Sequence, residues 1–114
     1  MVIAPALALF TPERIERLKA FAQRGHLVLS PRTGTRDSAA AFWQERAPAG
    51  LRDLAGCEVE EYYALADPIA IAGEIEGSAD TWAERLKILA DDARIIARYR
   101  GDNAWLDGQP AIVQ

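Results

Sequence analysis

The sequence contains one cysteine and one histidine, the side chains best suited to nucleophilic chemistry. Cys57 and His26 are the only residues of their kinds among 114, and a thiol activated by an imidazole is a common pair of nucleophile and base. However, Cys57 stands at the start of a predicted strand, whereas an exposed nucleophile usually occupies a sharp strand-to-helix turn. His26 opens a strand, opposite to the end where α/β sheets bind ligands. The pattern therefore favours packed or surface roles for both residues.

Glu58 and Glu60 are a second candidate pair, because two carboxylates can share the work of glycoside hydrolysis. On one face of a strand they would lie about 7 Å apart, within the range of an inverting glycosidase. Such enzymes hold their carboxylates on opposite sides of a cleft, whereas these two would be neighbours on one ridge beside Glu61. The pattern therefore predicts a solvated strand face.

The segment Arg32–Arg36 (RTGTR) follows the carboxyl end of a predicted strand, where α/β proteins bind their ligands. It lacks the Gly-Lys-Ser/Thr sequence of a phosphate-binding P-loop. A structured loop is therefore the favoured interpretation. A small-ligand site near Arg32 is a further hypothesis that follows only from this position in the fold.

Phe42 and Trp43 lie in a long polar connection, Pro31–Pro48. Connections of this length inside compact domains usually carry function or contact another molecule. The two aromatic residues either anchor a partner, since aromatic residues are enriched at interface hot spots, or cover the sheet. The sequence leaves both interpretations open. It predicts no catalytic, cofactor-binding or metal-binding residue, and the candidate interface residues are Arg32, Phe42 and Trp43.

The composition restricts the partners. A net charge of −4 argues against nucleic acid, because phosphate binding needs a basic face. No apolar run reaches the roughly 20 residues of a membrane helix, and the apolar start lacks the features of a signal peptide. A single cysteine excludes an internal disulfide and fits a reducing compartment. We therefore expect one cytoplasmic domain without a cofactor, a nucleic-acid partner or a membrane partner.

A strand–helix–strand unit is the first element that would position these residues. Val2–Pro5 is an apolar run without alternation, which is typical of a strand covered on both faces. Thr11 is a suitable N-cap and Pro12 suits the first helical position, while Gly25 is placed to end the helix in the left-handed conformation. His26–Ser30 predicts a second buried strand, parallel to the first.

The middle of the chain predicts a short helix and several strands. Ala49–Leu54 fits a helix that ends before Gly56, and Thr81–Leu89 fits a helix and a strand equally well. The predicted strands are Glu58–Leu65, Ile69–Ile75 and Ile95–Tyr99.

The end of the chain predicts a hairpin over Ala104–Val113. Asp107-Gly108 is a favoured two-residue turn, and Pro110 would then demand an edge position because it has no N–H for the ladder. Trp82 and Trp105 are expected to pack in the core or in this hairpin.

Five segments occur in the order found in a known family. They are VIAPALALFTPERIERLKAFAQRGHLVLSPRTG, PAGLRDLAGCEVEEY, TWAERL, ARIIARY and LDGQPAI. In this order the chain resembles the middle, or trimerisation, domain of glycoside hydrolase family 42 β-galactosidases. The resemblance covers nearly the whole chain and is most specific in the first two segments.

The resemblance implies a flavodoxin-like parallel sheet, similar to class I glutamine amidotransferases, with antiparallel strands towards the carboxyl end. It implies no catalysis, because Ser30-Pro31-Arg32 stands where an amidotransferase would carry its cysteine, and the family's catalytic glutamates belong to an upstream TIM barrel. We expect an incomplete sheet, since a first strand and helix before Val2 and a closing strand after Gln114 are missing. The chain would be a fragment of a larger enzyme.

Two functional hypotheses from different classes follow. The first is a structural domain that joins three copies of a β-galactosidase, itself linked to an upstream TIM barrel. The alternative is a stand-alone amidotransferase-like enzyme that uses Cys57 and His26.

Overall fold

The computed structural model describes every residue, Met1–Gln114. The chain divides into two units, residues 1–54 and 55–114, called here the N-unit and the C-unit. The helices and strands, in chain order, are β1 (Val2–Ala4), α1 (Pro12–Ala22), β2 (Leu27–Leu29), α2 (Arg52–Ala55), β3 (Cys57–Ala64), β4 (Ile69–Gly73), β5 (Gly77–Ala79), β6 (Trp82–Ile88), β7 (Ile95–Arg100) and β8 (Pro110–Val113).

In the N-unit, β1 and β2 form a parallel pair joined through α1. Val2 lies beside Leu27 and Ala4 beside Leu29, which confirms the predicted strand–helix–strand unit. A parallel pair needs such a crossover, because a tight turn cannot return the chain in the same direction. The core of this unit consists of Phe10, Ile15 and Leu51, with Leu7, Leu18, Leu29 and Trp43 packed against it.

The start of α1 follows the predicted capping chemistry, but its end does not. The Thr11 hydroxyl accepts a hydrogen bond from the Arg14 N–H at 3.2 Å, and Pro12 occupies the first helical position. Gly25 does not adopt a left-handed φ, so its predicted role as a helix terminator is wrong. A Cβ atom there would lie 2.8 Å from the Phe21 ring, so the glycine makes room for this ring instead.

β1 and β2 are not covered on both faces, which corrects the prediction from their apolar sequences. Ile3 is 55% exposed and Val28 is 43% exposed. The sheet contains only these two strands, and α1 packs beside β2. The apolar sequences therefore predicted the two strands correctly but not their partial exposure.

Parallel pairing is limited to β1 and β2, and the other strands form antiparallel sheets. β3 pairs with β6, and a second sheet has the order β5-β4-β7-β8. Residues 74–76 join β4 to β5, and so short a connection can join antiparallel strands but not parallel ones. The structure is a small mixed one with few helices and mostly antiparallel sheets, and a flavodoxin-like sheet is not seen.

The core of the C-unit is tied together by a buried tyrosine hydroxyl. Ile69, Ala83, Tyr99 and Leu106 form its buried cluster. The Tyr99 hydroxyl accepts a hydrogen bond from the Glu84 N–H and donates one to the Glu84 carbonyl, both at 3.2 Å. Since Tyr99 lies on β7 and Glu84 on β6, these bonds join the two sheets.

Most predicted elements after residue 48 are confirmed, with shifted boundaries. β3, β4 and β7 occupy the three predicted strands, and the ambiguous segment Thr81–Leu89 forms the strand β6 because β3 pairs with it. The short predicted helix is α2, and Gly56 follows it with a φ of +66°.

The predicted hairpin over Ala104–Val113 is wrong. Residues 104–108 form turns, and β8 pairs instead with β7, which precedes it. Asp107-Gly108 therefore belongs to the longer connection between these strands. Pro110 lies on the edge strand of its sheet, as predicted.

Candidate functional site

Cys57 is a buried free thiol. Burial raises its pKa, and the negative charge of Glu84 raises this pKa further. A protonated thiol is a poor nucleophile, so the environment of Cys57 opposes the chemistry that its residue type allows. His26 belongs to the N-unit and is exposed.

The carboxylates of β3 are matched by basic side chains on β6. Glu60 accepts a hydrogen bond from the Arg85 Nε at 3.2 Å, and Lys87 Nζ lies 3.9 Å from Glu58 Oε1. Glu58 itself is buried, so the predicted solvated face is wrong at this position. A register shift between Val59 and Glu61 interrupts the alternation of side chains that the prediction assumed. These carboxylates therefore form cross-strand ion pairs with β6.

The segment Arg32–Arg36 is a structured loop in which the N–H groups of Thr33, Gly34 and Arg36 donate to carbonyls of the N-unit. The Gly34 N–H donates to the Leu7 carbonyl at 3.0 Å and the Arg36 N–H donates to the Ala8 carbonyl at 2.9 Å. The buried Thr33 hydroxyl donates to the Ala4 carbonyl at 3.1 Å. A phosphate cradle needs N–H groups that point at a ligand, and these point inward.

The next residues, 36–43, form a compact turn that we call the Phe42 loop. One carboxylate oxygen of Asp37 accepts hydrogen bonds from the Ala39 N–H at 2.9 Å and the Ala41 N–H at 3.0 Å. The Asp37 N–H donates to the Ala41 carbonyl at 2.9 Å. Local side-chain hydrogen bonds of this kind hold a turn in one conformation.

The two aromatic residues at the end of this loop have different environments. Phe42 is 57% exposed, and the Arg36 guanidinium lies 3.6 Å above its ring centroid. Trp43 packs against the core of the N-unit, and its indole N–H donates to the Arg36 carbonyl at 2.8 Å. Of the two interpretations that the sequence left open, covering the core fits Trp43 and an available contact surface fits Phe42.

Arg32, the third candidate interface residue, takes part in the structure of the Arg32–Arg36 loop. Its φ is +69°, a conformation that is uncommon outside glycine. Its side chain is half-buried, and its carbonyl accepts a hydrogen bond from the Thr35 hydroxyl at 3.3 Å.

A shallow groove lies beside the Phe42 loop. It is lined by Asp37, Ala41, Phe42, Trp43, Gln44 and Glu45.

Trp105 is the exposed residue that the sequence misplaced. It was expected to pack, but it is 67% exposed, whereas its neighbour Leu106 is fully buried. The apolar pattern marks both residues and does not say which one faces the core. Trp82 is also partly exposed, and its ring meets Tyr62 edge to face at a centroid distance of 6.3 Å.

The structure contains neither a metal-binding cluster nor a membrane-spanning helix. No group of three or more histidine, cysteine, aspartate or glutamate side chains is placed to hold a metal ion. No helix has both the length and the apolar character needed to cross a membrane.

Comparison with known proteins gave consistent matches along the whole chain. β-Galactosidase Bga of Halorubrum lacusprofundi is 33% identical over an alignment of 127 residues. The alignment covers 98% of this chain and 18% of that protein. β-Galactosidase BglY of Alicyclobacillus acidocaldarius is 34% identical over 124 residues, which cover 97% of this chain and 17% of that protein. The chain therefore spans less than a fifth of the length of these relatives.

Solved structures agree. The β-galactosidase of Rahnella sp. R3 superposes with a TM-score of 0.87 at 27% identity, over 98% of this chain and 18% of that one. A catalytic mutant of Gan42B, a family 42 β-galactosidase of G. stearothermophilus, gives 0.85 at 29% identity, over 97% and 16%. The family model of the β-galactosidase trimerisation domain matches residues 1–114. The resemblance found in the sequence is thereby confirmed, and the chain belongs to the family of β-galactosidase trimerisation domains.

Proposed function

We propose that this chain is the oligomerisation domain of a β-galactosidase and takes no part in catalysis itself. The observation that carries the proposal is the trimerisation-domain match over residues 1–114. More than four-fifths of each curated relative lies outside the matched region, which leaves room for a separate catalytic TIM barrel. That barrel would remove terminal β-galactosyl groups, while the 114 residues act as one domain that holds three copies together in the cytoplasm.

The Phe42 loop is the surface that we assign to self-association. An exposed phenylalanine that is already fixed by Asp37 and Arg36 loses little conformational entropy when a partner covers it. Burying the exposed part of its side chain contributes about 1–2 kcal/mol by apolar area alone. Of the three candidate interface residues, Phe42 makes the contact, Trp43 holds the Phe42 loop against the core, and Arg32 belongs to the preceding Arg32–Arg36 loop.

The β1–α1–β2 unit also fits a place within a flavodoxin-like, amidotransferase-like sheet. Parallel strands of such sheets are covered on both faces, and the exposed Ile3 and Val28 side chains are the ones that further elements would cover. Hydrogen exchange on the full-length enzyme would test this assignment. Strong protection of the β1 and β2 amides is expected, and rapid exchange there would contradict it.

Sedimentation equilibrium of the full chain tests the oligomerisation role. We expect a trimer, and Phe42→Ala should weaken each contact by at least about 1–2 kcal/mol, as is usual for an interface anchor. Ile75→Ala is the matched control, because Ile75 is an exposed apolar residue of similar accessibility in the C-unit. A wild-type chain that is monomeric at every concentration would contradict the proposed function.

A further inference from the structure

We infer that the connection between β7 and β8 is the second surface of this contact, so that the Phe42 loop of one copy docks on the Trp105 loop of the next. The Trp105 loop is residues 101–109. The inference rests on the proposed self-association and adds the surface that receives the Phe42 loop.

Threefold symmetry requires two different surfaces on every copy. In a closed ring of three, each contact is heterologous, so a patch on one copy meets a different patch on its neighbour. The Phe42 loop supplies only one of these patches. A second surface must therefore exist elsewhere on the chain, and it should complement an exposed phenylalanine beside an arginine.

The Trp105 loop presents its tryptophan from a fixed backbone. The Asn103 carbonyl accepts hydrogen bonds from the Leu106 N–H at 3.0 Å and the Asp107 N–H at 2.8 Å, and the Asn103 side chain accepts one from the Trp105 N–H at 3.1 Å. Leu106 anchors the loop in the core of the C-unit. The Trp105 side chain is therefore exposed on a backbone that needs little ordering on binding, which favours a contact role.

The charges of the two loops are complementary. Arg36 Nη1 donates to the Ala40 carbonyl, and the Arg36 guanidinium covers the Phe42 ring. The Trp105 loop carries two exposed carboxylates, Asp102 and Asp107. A guanidinium can pair with such a carboxylate and also stack on a tryptophan face. Tryptophan and arginine are the residues most enriched among interface hot spots.

The other exposed apolar surfaces complement the Phe42 loop less well. Tyr62 and Trp82 already contact each other edge to face. The exposed residues of β1 and β2 are aliphatic and offer no carboxylate to Arg36. Exposed carboxylates also lie beside Tyr62 and Trp82, but Glu61 already pairs with Arg85, and Trp82 is only 37% exposed against 67% for Trp105. The Trp105 loop therefore offers the more accessible aromatic ring beside carboxylates.

Mixing two variants tests the head-to-tail arrangement. Phe42→Asp removes one surface and Trp105→Asp removes the other, so sedimentation should show each variant alone as a monomer. In an equimolar mixture, the intact Phe42 loop of the Trp105→Asp variant can dock on the intact Trp105 loop of the Phe42→Asp variant. The expected product is a dimer with one copy of each variant. It cannot grow into a ring, because both of its remaining surfaces are mutated. A Trp105→Asp chain that stays trimeric beside a trimeric wild type overturns this inference and leaves the proposed function standing. A mixture that stays monomeric also overturns it.

A charge exchange gives an independent measurement. Arg36→Glu and Asp102→Arg should each abolish the trimer, and the double variant should restore it, because the reversed charges pair again across the contact. Arg24→Glu and Asp92→Arg are matched controls at exposed positions of the same units, and both should stay trimeric. Circular dichroism of every variant separates loss of contact from loss of folding. A double variant that is folded and monomeric contradicts the pairing of Arg36 with Asp102.

Discussion

The Phe42 loop and the Trp105 loop solve the same problem by different means. In each loop an exposed aromatic residue is followed by a residue that packs into a core, Trp43 in the first and Leu106 in the second. The Phe42 loop is held mainly by side chains, the Asp37 carboxylate and the Trp43 indole. The Trp105 loop is held mainly by backbone hydrogen bonds and by Leu106. The comparison indicates that removing a polar side chain should disturb the Phe42 loop, whereas truncating the core residue Leu106 should disturb the Trp105 loop.

The largest effect is expected from Leu106→Ala. Its side chain is fully buried, and truncation of a buried leucine costs about 2–5 kcal/mol of unfolding free energy through lost contacts and the cavity left behind. Trp105→Ala at the neighbouring position should change this free energy by no more than about 0.5 kcal/mol in dilute solution. Urea unfolding followed by circular dichroism measures both values, and equal losses would contradict the proposed division between anchor and exposed residue.

Asp37→Ala should have the next largest effect. It removes the acceptor of two backbone N–H groups, and such a loss costs about 1–2 kcal/mol. Faster hydrogen exchange at Ala39 and Ala41 is expected, with little change in the Trp105 loop. Ser38→Ala is the control within the same turn. Unchanged exchange at both amides would show that the carboxylate does not hold the loop.

Trp43→Phe should have a smaller effect on the same loop. The substitution keeps an aromatic ring against the core but removes the N–H that donates to the Arg36 carbonyl, which is worth about 1 kcal/mol. Trp105→Phe serves as the comparison, because the exposed Trp105 indole forms no such bond, and it should leave unfolding unchanged. If the two substitutions lower the free energy of unfolding by the same amount, the indole hydrogen bond does not distinguish the two loops.

The smallest effect concerns alkaline pH in the C-unit. Burial raises the pKa values of Cys57 and Tyr99 in the folded chain, so both groups stay protonated in the fold at a pH where the unfolded chain ionises them. Their contribution to stability is present below the ordinary pKa values of a thiol and a phenol and is lost as the pH rises through the raised ones. Urea midpoints across this range should fall, and Cys57→Ala should weaken the early part of the fall. Identical pH profiles for wild type and variant would contradict the role of Cys57.

The candidate site was predictable only in part. The sequence identified the long connection and both of its aromatic residues, but it did not distinguish the exposed Phe42 from the packed Trp43. It predicts that Trp105 packs in the core or in a hairpin, whereas Trp105 is exposed. Adjacent apolar residues give the same local signal, and only the direction in which the backbone crosses the core decides which one is covered.

The sequence by itself determined the local features, such as the helix cap and the apolar strands, and the family. The Thr11 cap, Pro12 and the apolar strands before and after them predict the parallel unit, because each depends on groups within a few residues. The tertiary structure decided that Thr81–Leu89 forms a strand and that this strand pairs with β3. It also decided that β8 pairs with β7 and that β1 and β2 are partly exposed. These outcomes depend on partners far away in the sequence, and a strand's register and covering are properties of the whole sheet.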